Sequence, residues 1–227
     1  RGEDPKVTAV VEVITALNAD VLLLTGIDYD LRGAALEALA DRLAAAGLNY
    51  PHRLALRPNT GVATGFDIDG NGRLGEPRDA MGYGRFAGAA GMAILSRLPI
   101  DRAHIRDFSG FLWADLPDAL MPDKDPALRA IQLLSTTGMY EVPVLTGNGV
   151  INLLTYYATP TSDPLVLDNL IPEIRPASKR RDLLPVYAFN AEGLYLPGRK
   201  SGDSKRLSRW QDVLKKMRAE GFAVGDG

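Results

Sequence analysis

Five polar residues between positions 67 and 79 are spaced for one kind of chemistry. Asp67, Asp69 and Asn71 alternate, then come Gly72 and Arg73. Oxygen side chains at loop positions 1, 3 and 5, a turn glycine at 6 and a backbone carbonyl at 7 form the first half of an EF-hand-type wrap around a hard cation. The second half departs from that pattern. Arg78 stands where a bidentate Glu is expected, so Asp79 or Glu76 must close the shell, and neither flanking helix is evident. With carboxylate and amide ligands such a site prefers Ca²⁺ to Mg²⁺. An ion there is expected to order residues 61–91 beside a cleft and not to react. The same residue types also build chains of Asx-turns at a protein surface, because Asp, Asn and Gly are the default turn formers.

A second acidic pair, Asp28 and Asp30, lies in Gly26-Ile-Asp-Tyr-Asp-Leu31, just past an apolar run. Sites in α/β proteins gather at the carboxyl ends of strands, which makes both aspartates candidates for a metal site. Asp30 can equally open the helix that follows. With no cysteine there is no thiolate nucleophile, disulfide or cysteine zinc site. His52 and His104 are the only imidazoles and sit near no motif, so they read as surface or structural groups. Adjacent strand residues face opposite ways, so of Tyr156 and Tyr157 one belongs to the core and the other to a cleft. Trp113 reads as a core or rim aromatic.

Regular elements must hold these groups in place. Asp4-Pro5 is a helix start, followed by Val7, Val10, Val11, Ile14 and Leu17 at helical spacing, which predicts a helix over 5–18. Asp20-Val-Leu-Leu-Leu24 reads as a strand buried on both faces. A helix over 34–46 follows, stopped by Gly47, and then a short strand near Arg53–Leu56. The glycine- and aspartate-rich insert at 57–91 is too irregular for a helix and runs into Met92–Ser96, a buried strand. Tyr140–Thr146 and Val150–Tyr157 form a hairpin across Gly147-Asn148-Gly149. A strand over Leu184–Phe189 and a helix over 204–219 complete the pattern. The alternation predicts one α/β domain over residues 1–227, two packed sheets with helices outside.

Composition limits the function classes. At 227 residues and 46% hydrophobic, the chain has ample material for a core. No apolar run approaches the roughly 20 residues that span a bilayer, so no membrane partner is expected. The start has no initiator Met or charged-then-apolar leader, and it reads as trimmed. Residues 175–218 carry twelve Lys/Arg against four Asp/Glu, leaving fourteen against twenty-four elsewhere. That basic segment is either a phosphate-facing surface or a solvated helix face. A periplasmic or secreted setting is favoured over the cytoplasm, and oligomeric state is not legible.

Four stretches, in order, resemble the endonuclease/exonuclease/phosphatase superfamily, the DNase I-like metal-dependent phosphoesterases. They are Ala19-Asp-Val-Leu-Leu-Leu24, Gly91-Met-Ala-Ile-Leu-Ser-Arg-Leu-Pro-Ile100, Asn152-Leu-Leu-Thr-Tyr-Tyr-Ala-Thr-Pro160 and Tyr187-Ala-Phe-Asn190. The insert is similar to that of a bacterial subgroup. The resemblance implies a four-layer sandwich of two sheets flanked by helices, Mg²⁺ or Mn²⁺ as cofactor, and a phosphorylated small molecule or nucleic acid as substrate. It also implies losses at the chemistry. Gly26 stands at the family's metal-binding glutamate, Tyr157 at its histidine and Ala188 at the aspartate of its "GDFN" motif, while Asn190 is retained. The family's first strand and closing Asp-His pair have no counterpart in these residues. Asn190, Asp28, Asp30 and Tyr157 are thus the expected catalytic positions, and the chain reads as a diverged or truncated bacterial member. Its alternative reading is a weak or inactive relative that binds calcium and a partner.

Overall fold

The computed structural model describes residues 4–157, apart from 117, 118, 120 and 122–124. The expected strand over Leu184–Phe189, the helix over 204–219, the basic segment and Asn190 lie outside the described residues. Among those described, no helix is long and apolar enough to cross a membrane.

Helix α1 (Pro5–Leu17) starts where Asp4 accepts the Lys6 N–H at 2.9 Å, with Pro5 in the first turn. Strand β1 (Val21–Ile27) follows, then α2 (Ala34–Ala45), β2 (His52–Leu56) and, after the insert, β3 (Gly91–Ser96). Both β1 and β2 pair antiparallel with β3, giving the order β1-β3-β2. A second sheet has the order β4-β5-β6, from β4 (Arg106–Asp107), β5 (Met139–Thr146) and β6 (Gly149–Tyr156). A short helix, α3 (Pro126–Ile131), repeats the device of α1: the Asp125 side chain accepts the Ala127 N–H at 2.7 Å ahead of Pro126.

The pleat of β3 organises the packing. Ala93 and Leu95 face Ile14 of α1 and Leu36, Ala40 and Leu43 of α2. Met92 and Ile94 point the other way, into a layer shared with Leu54 and Leu56 of β2, Tyr140, Val142 and Val144 of β5, and Leu153 of β6. A helical layer, one sheet and a second sheet thus stack in that order, as the sequence predicts. Each fully buried aliphatic side chain in these layers contributes about 1.5–3 kcal/mol.

Two details differ from expectation. Among the described residues only β3 is buried along its whole length, and β1, an edge strand among them, is half-buried to exposed. An apolar run reports what a segment can cover, not whether it lies at the centre. The hairpin turns one residue early. Thr146 pairs with Gly149, so Gly147 and Asn148 alone form the loop and Tyr157 falls just past β6. Thr146 Oγ1 fixes that register by accepting the Asn148 N–H at 3.2 Å and donating to Gly149 O at 2.8 Å.

Candidate functional site

The two sheets meet at one end of the sandwich, where Tyr157 lies beside Gly26 and Asp28 follows the end of β1. Strand β1 ends where Ile27 pairs with Gly91, β2 ends where Leu56 pairs with Met92, and β5 begins where Met139 pairs with Tyr156. The Tyr140 hydroxyl donates to Arg57 O at 2.5 Å and ties the sheets together at this end. Burial raises the pKa of Tyr140, which keeps it a proton donor in that bond. Next to it, the Tyr157 hydroxyl lies 4.0 Å from where a Cβ on Gly26 would stand. Thr137 Oγ1 holds the Tyr157 backbone by donating to its carbonyl. Tyr156 is 3% exposed and belongs to the core, while Tyr157 is half-buried.

Gly26 owes its place to the backbone. The β1–β3 register shifts between Thr25 and Ile27, and Gly26 sits in that bulge at φ +74°. A bulge of this kind takes glycine in the left-handed region, which other residues enter at a cost.

The two aspartates beyond β1 have separate surroundings. Asp28 is exposed, and its Oδ1 accepts the N–H of Ala90 at 2.9 Å. Ala90 itself sits at φ +48°, a left-handed conformation uncommon for a residue with a Cβ. Asp30 is taken up by α2. Its Oδ1 accepts from Arg32 and Ala34 at 3.0 and 2.9 Å, and its Oδ2 accepts from Ala35 at 3.0 Å. These donors, Ala35 first, hold its carboxyl below the ordinary aspartate range.

The insert brings its own acids together. Carboxylate oxygens of Asp67, Asp69 and Asp79 all lie within 4.8 Å of one another. Ligands about 2.4 Å from a shared Ca²⁺ reach such separations. Asp67 accepts the N–H groups of Gly70, Asn71 and Gly72, the last at 2.7 Å, and these donors, Gly72 first, lower its pKa. Asp79, 2% exposed, accepts from Ile68 and Glu76, both at 3.0 Å. Asn71 joins through its side chain, donating to Asp69 at 3.2 Å and to Glu76 at 2.7 Å. Arg73 donates its backbone N–H to Asn71 Oδ1 at 2.8 Å, and its guanidinium lies 3.5 Å from Glu76. Arg78 faces Asp69 at 3.8 Å. Asp79, rather than Glu76, thus sits with the first two acids.

His104 pairs with Asp101 at 2.8 Å on the surface, far along the chain from these groups, and Trp113 is 4% exposed in the core. Sequence reasoning passed over Arg57, Ala90 and Tyr140. Arg57-Pro58 directly after a strand was the available signal for the first. No sequence signal marks the left-handed Ala90.

Residues 1–181 match the Endonuclease/Exonuclease/phosphatase family. No curated protein matches the chain. Among solved structures, it is similar to sphingomyelinase C from Streptomyces griseocarneus, at 15% identity and a TM-score of 0.42, with 92% of this chain and 62% of that one covered. It is also similar to ANGEL2, a 2′,3′-cyclic phosphatase, at 14% identity and 0.41, with 84% and 44% covered. A third is humanized D. rerio TDP2, at 10% identity and 0.42, with 96% and 74% covered. The chain spans less than two thirds of the length of the first two. With a family match over most of its length, this chain belongs to the endonuclease/exonuclease/phosphatase family.

Proposed function

We propose that the chain is a metal-dependent phosphoesterase acting on nucleic acid or a phosphorylated small molecule, with its site at the strand ends around Asp28 and Tyr157 and with that site degenerate. The observation that carries this reading is the Tyr157 hydroxyl beside the Gly26 Cβ position, 4.0 Å away. These are the two positions that the family resemblance pairs with a histidine and a metal-binding glutamate, and their meeting in space supports the alignment. Asp28 is a carboxylate at this end not consumed by a helix cap, and its Oδ2 is the atom that would hold Mg²⁺ or Mn²⁺. A magnesium site needs as few as one or two carboxylates, the remainder being water and substrate phosphate. When bound, the ion supplies charge neutralisation at the phosphoryl oxygens. Tyr157 donates a hydrogen bond but has no cationic form, and an unperturbed phenol pKa near about 10 makes it a poor acid–base group. Asp30 serves α2, and Asn190 is assigned by resemblance to positioning a phosphate oxygen or the nucleophile. The test is hydrolysis of a generic phosphodiester with Mg²⁺ or Mn²⁺. Slow turnover abolished by chelator supports the reading, and none under any metal overturns it.

A second reading has its own support in the acidic trio of the insert. Asp67, Asp69 and Asp79 would hold Ca²⁺, with Asn71 and the Arg73 carbonyl completing the shell, and the ion would order residues 61–91 for a substrate or partner. The cost of three carboxylates so close together supports a cation there. Calorimetric titration of Ca²⁺ into the chelator-treated chain should give heat, and the Asp67→Ala/Asp69→Ala variant should give none. A silent parent, or equal binding by the variant, retires this reading.

A further inference from the structure

The loop from Gly82 to Ala89 is fixed in its backbone and open in its side chains. Gly61 N–H donates to Gly82 O at 2.9 Å, Gly88 N–H to Thr60 O at 3.1 Å and Gly84 N–H to Pro77 O at 3.3 Å. A Cβ on Gly61 would stand 1.8 Å from Phe86 O, and one on Gly84 would stand 2.7 Å from Gly61 N. Backbone touches backbone there, leaving no room beneath the loop for the side chains of residues 83, 85 and 86. They project into solvent. Tyr83 is 63% exposed and Phe86 51%, and the exposed Arg85 has no ion-pair partner among the described residues.

This loop abuts the strand-end site. Tyr29 N–H donates to Gly88 O at 2.8 Å, a Cβ on Gly88 would stand 2.6 Å from Tyr29 O, and Ala90 N–H donates to Asp28. Arg57, exposed and also without an ion-pair partner among the described residues, leaves β2 at the same end. Two exposed rings on a hydrogen-bonded backbone, with the exposed Arg85 between them in sequence and Arg57 at the same end of the sheets, have the chemistry of a base-stacking platform. Bases offer their faces to such rings when they are not already stacked in a duplex.

We propose that Tyr83, Arg85 and Phe86 bind single-stranded nucleic acid. Its bases stack on the two rings, and Arg85 and Arg57 draw its phosphates toward Asp28. This rests on the strand ends being the phosphoesterase site, and it narrows the substrate class to a single strand.

The test is fluorescence anisotropy of a labelled phosphorothioate oligo-dT with the whole chain in Ca²⁺ and without Mg²⁺ or Mn²⁺, so that residues 61–91 are ordered on either reading of the insert and binding is read without turnover. Tyr83→Ala and Phe86→Ala should each weaken binding roughly 5- to 150-fold, the range of single stacked bases, with unchanged far-UV circular dichroism. Tyr83→Phe should bind like the parent, and Arg85→Ala should flatten the salt dependence by about 0.7 in log–log slope. An abasic strand of equal length should bind as weakly as the double alanine variant binds oligo-dT. Equal binding of abasic strand and oligo-dT overturns the proposal. So does preference for duplex, or ring-dependent binding to phosphatidylserine vesicles with none to oligo-dT. Hydrolysis of a generic diester by the parent is read separately. Its absence alongside ring-dependent binding sinks only the phosphoesterase reading, and its presence without such binding sinks only the platform.

Discussion

Replacing Gly26 with glutamate puts back the carboxylate that the family resemblance expects, and the structure sets the terms. The nearest atom to a Cβ there is the Tyr157 hydroxyl at 4.0 Å, so an added Cβ meets no clash. The conformation is the obstacle. At φ +74° any residue but glycine carries left-handed strain of about 1–2 kcal/mol, partly offset by about 0.4–1 kcal/mol from a less flexible unfolded chain. The net loss of about 1 kcal/mol is small beside the 5–15 kcal/mol typical of a folded domain, so the variant should fold. Gly26→Ala carries the same strain without the carboxylate and isolates the two effects in urea denaturation. Gly26→Glu with Tyr157→His should then raise Mg²⁺-dependent diester hydrolysis by up to about 10²–10⁴, the range associated with an acid–base group, and adding Ala188→Asp should raise it further. If Gly26→Ala is not destabilising, the bulge is misread. A folded Gly26→Glu/Tyr157→His variant with no gain in rate refutes the alignment of these positions.

Three further outcomes follow from the packing and the electrostatics. Ile94 is fully buried between the sheets, and Ile94→Ala should cost about 2–5 kcal/mol in urea denaturation; a loss below that range contradicts the sheet-on-sheet core. Asp30 has a folded pKa depressed by the N–H groups at the start of α2, so its stabilisation is complete above the unfolded value and disappears as pH falls through the folded one. Asp30→Asn should therefore lower Tm at neutral pH, and the gap from the parent should begin to narrow only below about pH 4 and close as pH falls through the depressed folded value; a gap that does not narrow in acid refutes the assignment. At Gly61 an added Cβ would overlap Phe86 O, and Gly61→Ala should speed limited proteolysis within 61–91 while leaving the sheets intact. An unchanged cleavage pattern would remove the close approach from the account.

The elements that carry strong local signals were legible. The Asp4-Pro5 start gives α1, the helical spacing of Leu36, Ala40 and Leu43 gives α2, and the apolar run at 92–96 gives the central strand. Helix α3 carries the same Asp-Pro signature as α1 but is only six residues long, too short for its apolar spacing to stand out. Strand β4 has two residues and no periodicity at all. Which strand lies central depends on antiparallel pairing between residues as distant in sequence as Val21 and Ser96, and Val21-Leu-Leu-Leu24 contains nothing that marks it as an edge. Spacing alone placed Asp67 and Asp69 in one loop with Asp79 or Glu76, because an acid-and-glycine turn is local chemistry, and the choice of Asp79 is visible only in the structure. The strand-end site is different in kind. Gly26 and Tyr157 meet only through the stacking of two sheets, and the capping of α2 by Asp30 depends on how the chain turns at Arg32 and Gly33.

Initial rates on a generic phosphodiester, compared for the parent and Asp28→Asn across Mg²⁺ and Mn²⁺ concentrations, test the strand-end site most directly. The account predicts a slow, chelator-sensitive rate in the parent, well below ordinary enzymatic turnover of about 1–10³ s⁻¹, that Asp28→Asn removes. Turnover at ordinary enzymatic rates, or a rate indifferent to Asp28, would contradict it.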